Sequence, residues 1–278
     1  MRDVLAGSFA PSGWRLGPPE RIRVVNWNID RGLQLEAILA FLEGQNAHVL
    51  TLQEVDLNAR RTGFRNVAEE IATRLRMNYV FGYEFQELAQ GRRGSSAYHG
   101  QATLSCWPLE NARVIRFRRQ SDFWKPKWFL PRTDPFQPRV GGRIALVTDV
   151  NIFGRPLVFF NLHLESRGER ELRLAQLSEA LDDARKYRRE QPIVLGGDLN
   201  LDVSQCYSSS ARLEEMGFHS AITLPAPHTT TPRGLFRRRR TIDWVYLAGR
   251  VQSLSADVCE DVTASDHYPI SFELRFPT

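Results

Sequence analysis

Ten apolar runs with strand composition recur along this chain, at 21–28, 48–55, 79–85, 101–105, 143–150, 157–164, 193–198, 241–247, 251–258 and 268–276. Between them only four stretches put apolar residues on one helical face: 33–43, 67–75, 167–189 and 210–217. Parallel neighbours need a crossover, usually a helix, between successive strands. Four helices cannot serve ten strands that way. The pattern therefore predicts an α/β chain (α+β type) built on two packed sheets. Ser166 and Glu169 form an S-x-x-E signature expected to cap the longest helix. The Gly-Arg-Pro within NIFGRP is expected to turn a hairpin between 143–150 and 157–164.

No repeat or linker divides the chain, which predicts one domain over 21–278 after a flexible leader at 1–20 rich in Gly, Pro and Ser. No apolar run approaches 18 residues and the first residues hold no apolar core, so neither a transmembrane helix nor a secretory signal is expected. Cys106, Cys206 and Cys259 are odd in number and widely spaced. They predict free thiols in a reducing, cytoplasmic setting and no structural zinc.

The strand-like runs end in polar chemistry. RVVNWN ends in Asn26 and Asn28, VLTLQE in Gln53 and Glu54, FFNLHLES in Asn161, His163 and Glu165, and IVLGGDLN in Asp198 and Asn200. TIDWVY carries Asp243, and SDHYPI opens with Asp266 and His267. Any one of these is an ordinary turn former or core residue. Six such ends together must be mutually paired or serve a ligand, because unpaired polar burial is costly. Glu54 and Asp266 are hard oxygen donors suited to Mg²⁺ or Mn²⁺. Asp198 is placed to hold and deprotonate a water, and His163 and His267 to donate to a phosphorane. The set predicts metal-assisted phosphoester hydrolysis.

NWNI, LQEV, HGQATLS, NLHLES, GGDLN, TIDWVY and SDHYP, in this order over about residues 21–276, resemble the endonuclease/exonuclease/phosphatase superfamily. The resemblance implies the DNase I-like fold, a four-layer αββα sandwich of two mostly antiparallel sheets with the site at one end. It implies that Asn28, Glu54 and Asp266 hold the metal, with Glu54 the principal ligand. It further implies that Asp198 activates the attacking water beside Asn200, and that His163 donates to the scissile phosphate. Asp243 would orient His267 and keep it protonated. Gly100-Gln101 departs from the Gly-Asn of many members.

Substrate class must come from loops. Residues 113–143 hold nine Lys/Arg against Asp122 and Asp134, and 233–240 hold five arginines and no acid, in a chain of net charge +5. The segment at about 113–142 reads as a basic insertion loop interleaved with aromatics, including Trp124 and Trp128. Phosphate and base recognition needs this mixture. Asn26, Gln101, Arg139, Arg143, Trp124 and Trp128 are the candidate substrate contacts. The strings NID, HLESRGER and GDLNL also resemble 5′-type tyrosyl-DNA phosphodiesterases, which points to a nuclease or DNA-end phosphodiesterase. An inositol-phosphate or phospholipid phosphodiesterase is the alternative, with the loop on an anionic membrane surface. The full polar set argues against a non-catalytic nucleic-acid-binding module.

Overall fold

The structure, a computed structural model, describes residues 3–11, 19–127, 129, 131, 133, 136–222, 230–231 and 239–276. The chain begins its framework with β2 (Ile22–Arg31), α1 (Leu35–Gln45) and β3 (Val49–Leu57), after a short β1 (Val4–Gly7). Leu35, Ile38, Leu39 and Leu42 bury one stripe of α1, so the helix lies flat on the sheet and returns the chain parallel to β2. Next come α2 (Val67–Leu75), β4 (Asn78–Arg92), β5 (Ser95–Ser105), β6 (Leu109–Arg116) and β7 (Arg139–Gly141). The second half runs β8 (Ile144–Ile152), β9 (Arg155–His163), α3 (Arg170–Ala184), β10 (Ile193–Asp198) and α4 (Val203–Glu215). It closes with β11 (His219–Ser220), β12 (Asp243–Ala248), β13 (Gln252–Val258) and β14 (Ile270–Arg275).

One sheet has the order β1-β4-β5-β3-β2-β14-β13, with β7 on β4, and the other β11-β12-β10-β9-β8-β6. The helices α1 and α2 cover the first sheet, and α3 and α4 the second. Val24, Phe159, Val194 and Phe272 fill the space between the sheets. This is the expected four-layer αββα sandwich. Among the described residues only β2/β3 and β9/β10 pair in parallel. A parallel pair delivers both carboxyl ends to the same edge, so Asn28 and Glu54 in one sheet and His163 and Asp198 in the other emerge together. Asp198 faces His163 on β9 and Asp243 on the antiparallel β12.

Local sequence accounts for most boundaries. The β8–β9 hairpin turns at Phe153 (φ 52°) and Gly154 (φ 81°), the paired positive φ of a type I′ turn. Three expectations change. Residues 4–7 of the predicted leader add an edge strand to β4 in place of a loose tail. The longest helix starts only at Arg170, and Ser166 caps nothing because its hydroxyl accepts from the Arg143 guanidinium at 3.0 Å. The helix expected from residue 210 starts at Val203, where Asp202 and Gln205 form a reciprocal capping box. All three cysteines are free thiols. Among the described residues no helix is long and apolar enough to cross a membrane.

Candidate active site

Toward the carboxyl ends of the parallel pairs the space between the sheets turns polar. Asn26 Oδ1 accepts from Thr51 Oγ1 and from Gln53 Nε2, both at 2.9 Å, and Gln53 Nε2 also reaches Asn161 Oδ1 at 2.7 Å. Asn161 Nδ2 donates to the carbonyls of Leu52 (3.1 Å) and Ala102 (3.0 Å), and Gln101 Nε2 donates to that of Ile144 at 3.1 Å. These amides bolt the two sheets together. Asn26 and Gln101, expected as substrate contacts, therefore lie one layer beneath the surface, fully buried. The extra methylene of Gln101 lets it span to the opposite sheet.

Above this floor a cleft of about 700 Å³ is lined by Glu54, His163, Asp198, Asn200, Asp266 and His267, with Arg31, Arg139, Arg143, Arg167 and Arg240 among its walls. Asp198 sits at its base. Gly197 has φ 137°, and a Cβ there would lie 2.0 Å from the Leu162 carbonyl oxygen, so only glycine lets β10 lie this close to β9. Asp198 Oδ1 accepts from the Asn200 backbone N–H at 3.0 Å, and Oδ2 from Asn28 Nδ2 at 3.2 Å. Asn200 adopts φ 50° and donates to the Leu164 carbonyl at 3.2 Å. Oδ2 of Asp198 is 3.6 Å from His163 Nε2 and 3.8 Å from His267 Nε2.

Each imidazole has its own support. His267 Nδ1 meets Asp243 Oδ2 at 2.8 Å, while Asp243 is held by its backbone N–H on Thr230 Oγ1 at 3.2 Å. Burial alone would discharge His267, but Asp243 and Asp198 outweigh it and raise its pKa to about 10. His163 Nδ1 lies 3.4 Å from Glu84 Oε2, and Arg143 Nη1 lies 2.5 Å from Glu84 Oε1. Against the upward push of burial, Arg143 and His163 hold the Glu84 carboxyl down at about 2. Arg143 is itself boxed in by Ser166 and by the Trp124 ring, whose centroid is 4.9 Å from the guanidinium carbon. Sequence reasoning missed Glu84; its signal was a lone acid inside the apolar run YVFGYEF.

This pairing sets a pH-dependent stability. A carboxyl whose folded pKa is depressed stabilises fully above its ordinary value near 4.5 and loses that contribution as pH falls toward 2. Glu84→Gln leaves Arg143 buried without its partner and should cost about 3–5 kcal/mol near neutral pH. Thermal melts should show that deficit shrinking below pH ~4. A deficit constant across the range would contradict the pairing.

The opposite wall gathers acids. Glu54 takes φ 50° where a bulge interrupts the β3–β5 ladder, which turns its carboxylate into the cleft. Arg31 Nη2 lies 3.3 Å from Glu54 Oε2 and His163 Nε2 lies 3.9 Å from Oε1. Burial pushes Glu54 up, yet Arg31, His99, His163 and Arg143 hold it well below the usual carboxylate range. Asp30, also missed as a site residue although it closes the NID string, is raised by burial and by Asp266 and Glu54, against the pull of Arg31. Three carboxylates that repel one another beside a cleft, two of them leaning on Arg31, suit a hard divalent cation. Asn28, expected on the metal, has its carbonyl oxygen on the Asp30 N–H (3.2 Å) and its amide on Asp198 (3.2 Å). Ligand-capable atoms also cluster within 4.8 Å in Glu54–His99–His163 and Asp198–Asp243–His267.

The insertion segment contributes structure as well as charge. Trp124, expected as a stacking surface, is buried, with Nε1 donating to Glu165 Oε2 at 2.7 Å and its ring on Phe85. It anchors the loop. Of the segment at about 113–142 expected as a loop, residues 113–116 belong to β6 and residues 139–141 pair with β4. Arg139 and Arg143 line the cleft, and Trp128 lies outside the described residues.

The endonuclease/exonuclease/phosphatase family model matches residues 25–267. Among solved structures, an endonuclease/exonuclease/phosphatase from Beutenbergia cavernae superposes with a TM-score of 0.66 at 20% identity, over 93% of this chain and 72% of that one. The human Nocturnin catalytic domain gives 0.67 at 19% identity, over 93% and 94%. A humanized TDP2 from D. rerio gives 0.62 at 15% identity, over 92% and 100%. At these identities the structures share the fold. No curated protein sequence matches the chain.

Proposed function

The chain belongs to the endonuclease/exonuclease/phosphatase family, and from that premise we propose that it is a divalent-metal-dependent phosphodiesterase acting on nucleic acid. The observation that carries the reading is Asp198, a carboxylate at the base of the cleft within 3.6 and 3.8 Å of two imidazoles. A carboxylate fixed by Asn28 and Asn200 orients a water and takes its proton. His267, kept cationic by Asp243, donates to a non-bridging phosphoryl oxygen and offsets the charge that builds there. His163 donates from the β9 side, backed by Glu84 and Arg143. Water attacks directly, so no residue has to serve as a covalent nucleophile. Glu54 and Asp266, with Asp30 beside them, would hold Mg²⁺ or Mn²⁺, which supplies Lewis-acid stabilisation of the phosphoryl and leaving oxygens.

The substrate assignment is supported by the walls. Five arginines line the cleft, and the insertion adds Phe123 at its lip. Cationic groups alternating with an aromatic match a sugar-phosphate backbone. Hydrolysis of bis(p-nitrophenyl) phosphate should fall by at least about 10²-fold in EDTA and return with added Mg²⁺ or Mn²⁺. Undiminished turnover in EDTA would sink the metal-dependent reading.

A further inference from the structure

Beside the cleft lies a second concavity of about 570 Å³, and Phe123, Gln137, Arg139 and Arg167 line both. Its walls are tied to the framework. Arg139 is registered opposite Glu87 of β4, and the Leu88 N–H donates to the Pro138 carbonyl at 2.9 Å. A Cβ at Gly141 (φ 148°) would lie 2.5 Å from the Glu84 carbonyl oxygen, so the strand holding Arg139 is drawn close against β4. On the other side Phe123 is presented by the buried Trp124 next to it.

Lys125, Lys127, Arg139 and Arg167 line the annex against Asp122 alone, and the carboxylate that reaches Arg139 from behind is not its own. The Glu87 carboxylate is shared by Arg61 (2.8 Å) and Arg139 (3.1 Å), while Asp56 already carries Arg61 and His99. Arg139 is nine-tenths buried, yet its Nε has no hydrogen-bond partner. Arg167 lies 4.0 Å over the Phe123 ring, and Arg139 5.4 Å from the same centroid. No carboxylate among the described residues pairs with the Arg167 guanidinium. An aromatic ring thus fixes two guanidiniums at the junction of two concavities, Arg139 sharing Glu87 with Arg61 and Arg167 paired with no carboxylate among the described residues.

We propose that this annex is a second phosphate subsite, in which Arg139 and Arg167 hold the phosphate adjacent to the scissile one in a polynucleotide. The scissile position rests on the phosphodiesterase reading above. A substrate with two neighbouring phosphates fills both concavities, and one with a single phosphate fills the cleft alone.

The test is calorimetric titration of the whole protein, in EDTA to prevent turnover, with the dinucleotide TpT and its 5′- and 3′-phosphorylated forms. One of the two phosphorylated forms should bind about tenfold more tightly than TpT. Arg167→Ala and Phe123→Ala should each reduce that preference to less than about twofold. A merely structural loss would weaken all three ligands alike and leave the preference standing, which would overturn the proposal. So would equal binding of all three by the wild-type protein. A tenfold gain confined to inositol 1,4-bisphosphate over inositol 1-phosphate would overturn the polynucleotide assignment. If the gain and its loss are seen but bis(p-nitrophenyl) phosphate is never hydrolysed, the annex stands and the phosphodiesterase reading falls.

Discussion

Asp198→Asn should lower kcat by about 10³–10⁴-fold with little change in KM. The substitution keeps the volume at the base of the cleft but removes the carboxylate proposed to accept a proton from water. Its effect is compound. The Asn28 amide and the Asn200 N–H donate to the two carboxylate oxygens. An amide can accept from only one of them, so the second donor loses its partner. The loss of charge also removes one of the three carboxylates that raise His267. Steady-state kinetics with a minimal diester, alongside a circular-dichroism control for folding, reads the result. Full retention of rate would mean that another group activates the water.

Asp243→Asn is the second large effect, with kcat expected to fall about 10²–10³-fold. Asp243 and Asp198 raise the pKa of His267 to about 10 against the opposing pull of burial. A raised pKa means that the imidazole stays cationic up to that value and loses its charge as pH rises through it. Without Asp243, burial is opposed by Asp198 and by the weaker pull of Asp266, and the pKa falls. The alkaline limb of the rate profile should therefore move to lower pH, and part of the rate should be recovered by acidifying the assay. A loss of equal size at every pH would show that Asp243 only positions the ring.

The ends of the apolar runs were readable because strand chemistry is local. IVLGGDLN shows an aliphatic run, two glycines and then polar residues, and the structure supplies the reason in Gly197, pressed on the Leu162 carbonyl. The two packed sheets followed from the ratio of strands to helices, with Leu35, Ile38, Leu39 and Leu42 repeating at a helical period, while the four-layer αββα order came from the family resemblance. What stayed illegible depends on contacts between sheets. Gln53 meets Asn161 across 108 residues, and Asn26 joins them, so nothing nearby in sequence marks these amides as floor and not surface. Glu84 reaches His163 and Arg143 only after β4, β8 and β9 converge. Trp124 carried the composition of a stacking surface, but burial on Phe85 and Glu165 made it an anchor. Its neighbour Phe123 lines the cleft instead, and an aromatic count alone gives no preference between the two.

The measurement that bears most directly on the central claim is a comparison of kcat/KM across substrates in Mg²⁺. The panel is single- and double-stranded DNA, RNA, 5′-tyrosyl and abasic ends, inositol phosphates and sphingomyelin. A nucleic-acid substrate should lead the panel by at least about 10²-fold, equivalent to about 2.7 kcal/mol of transition-state preference. Turnover of an inositol phosphate or sphingomyelin above every nucleic acid would contradict that claim.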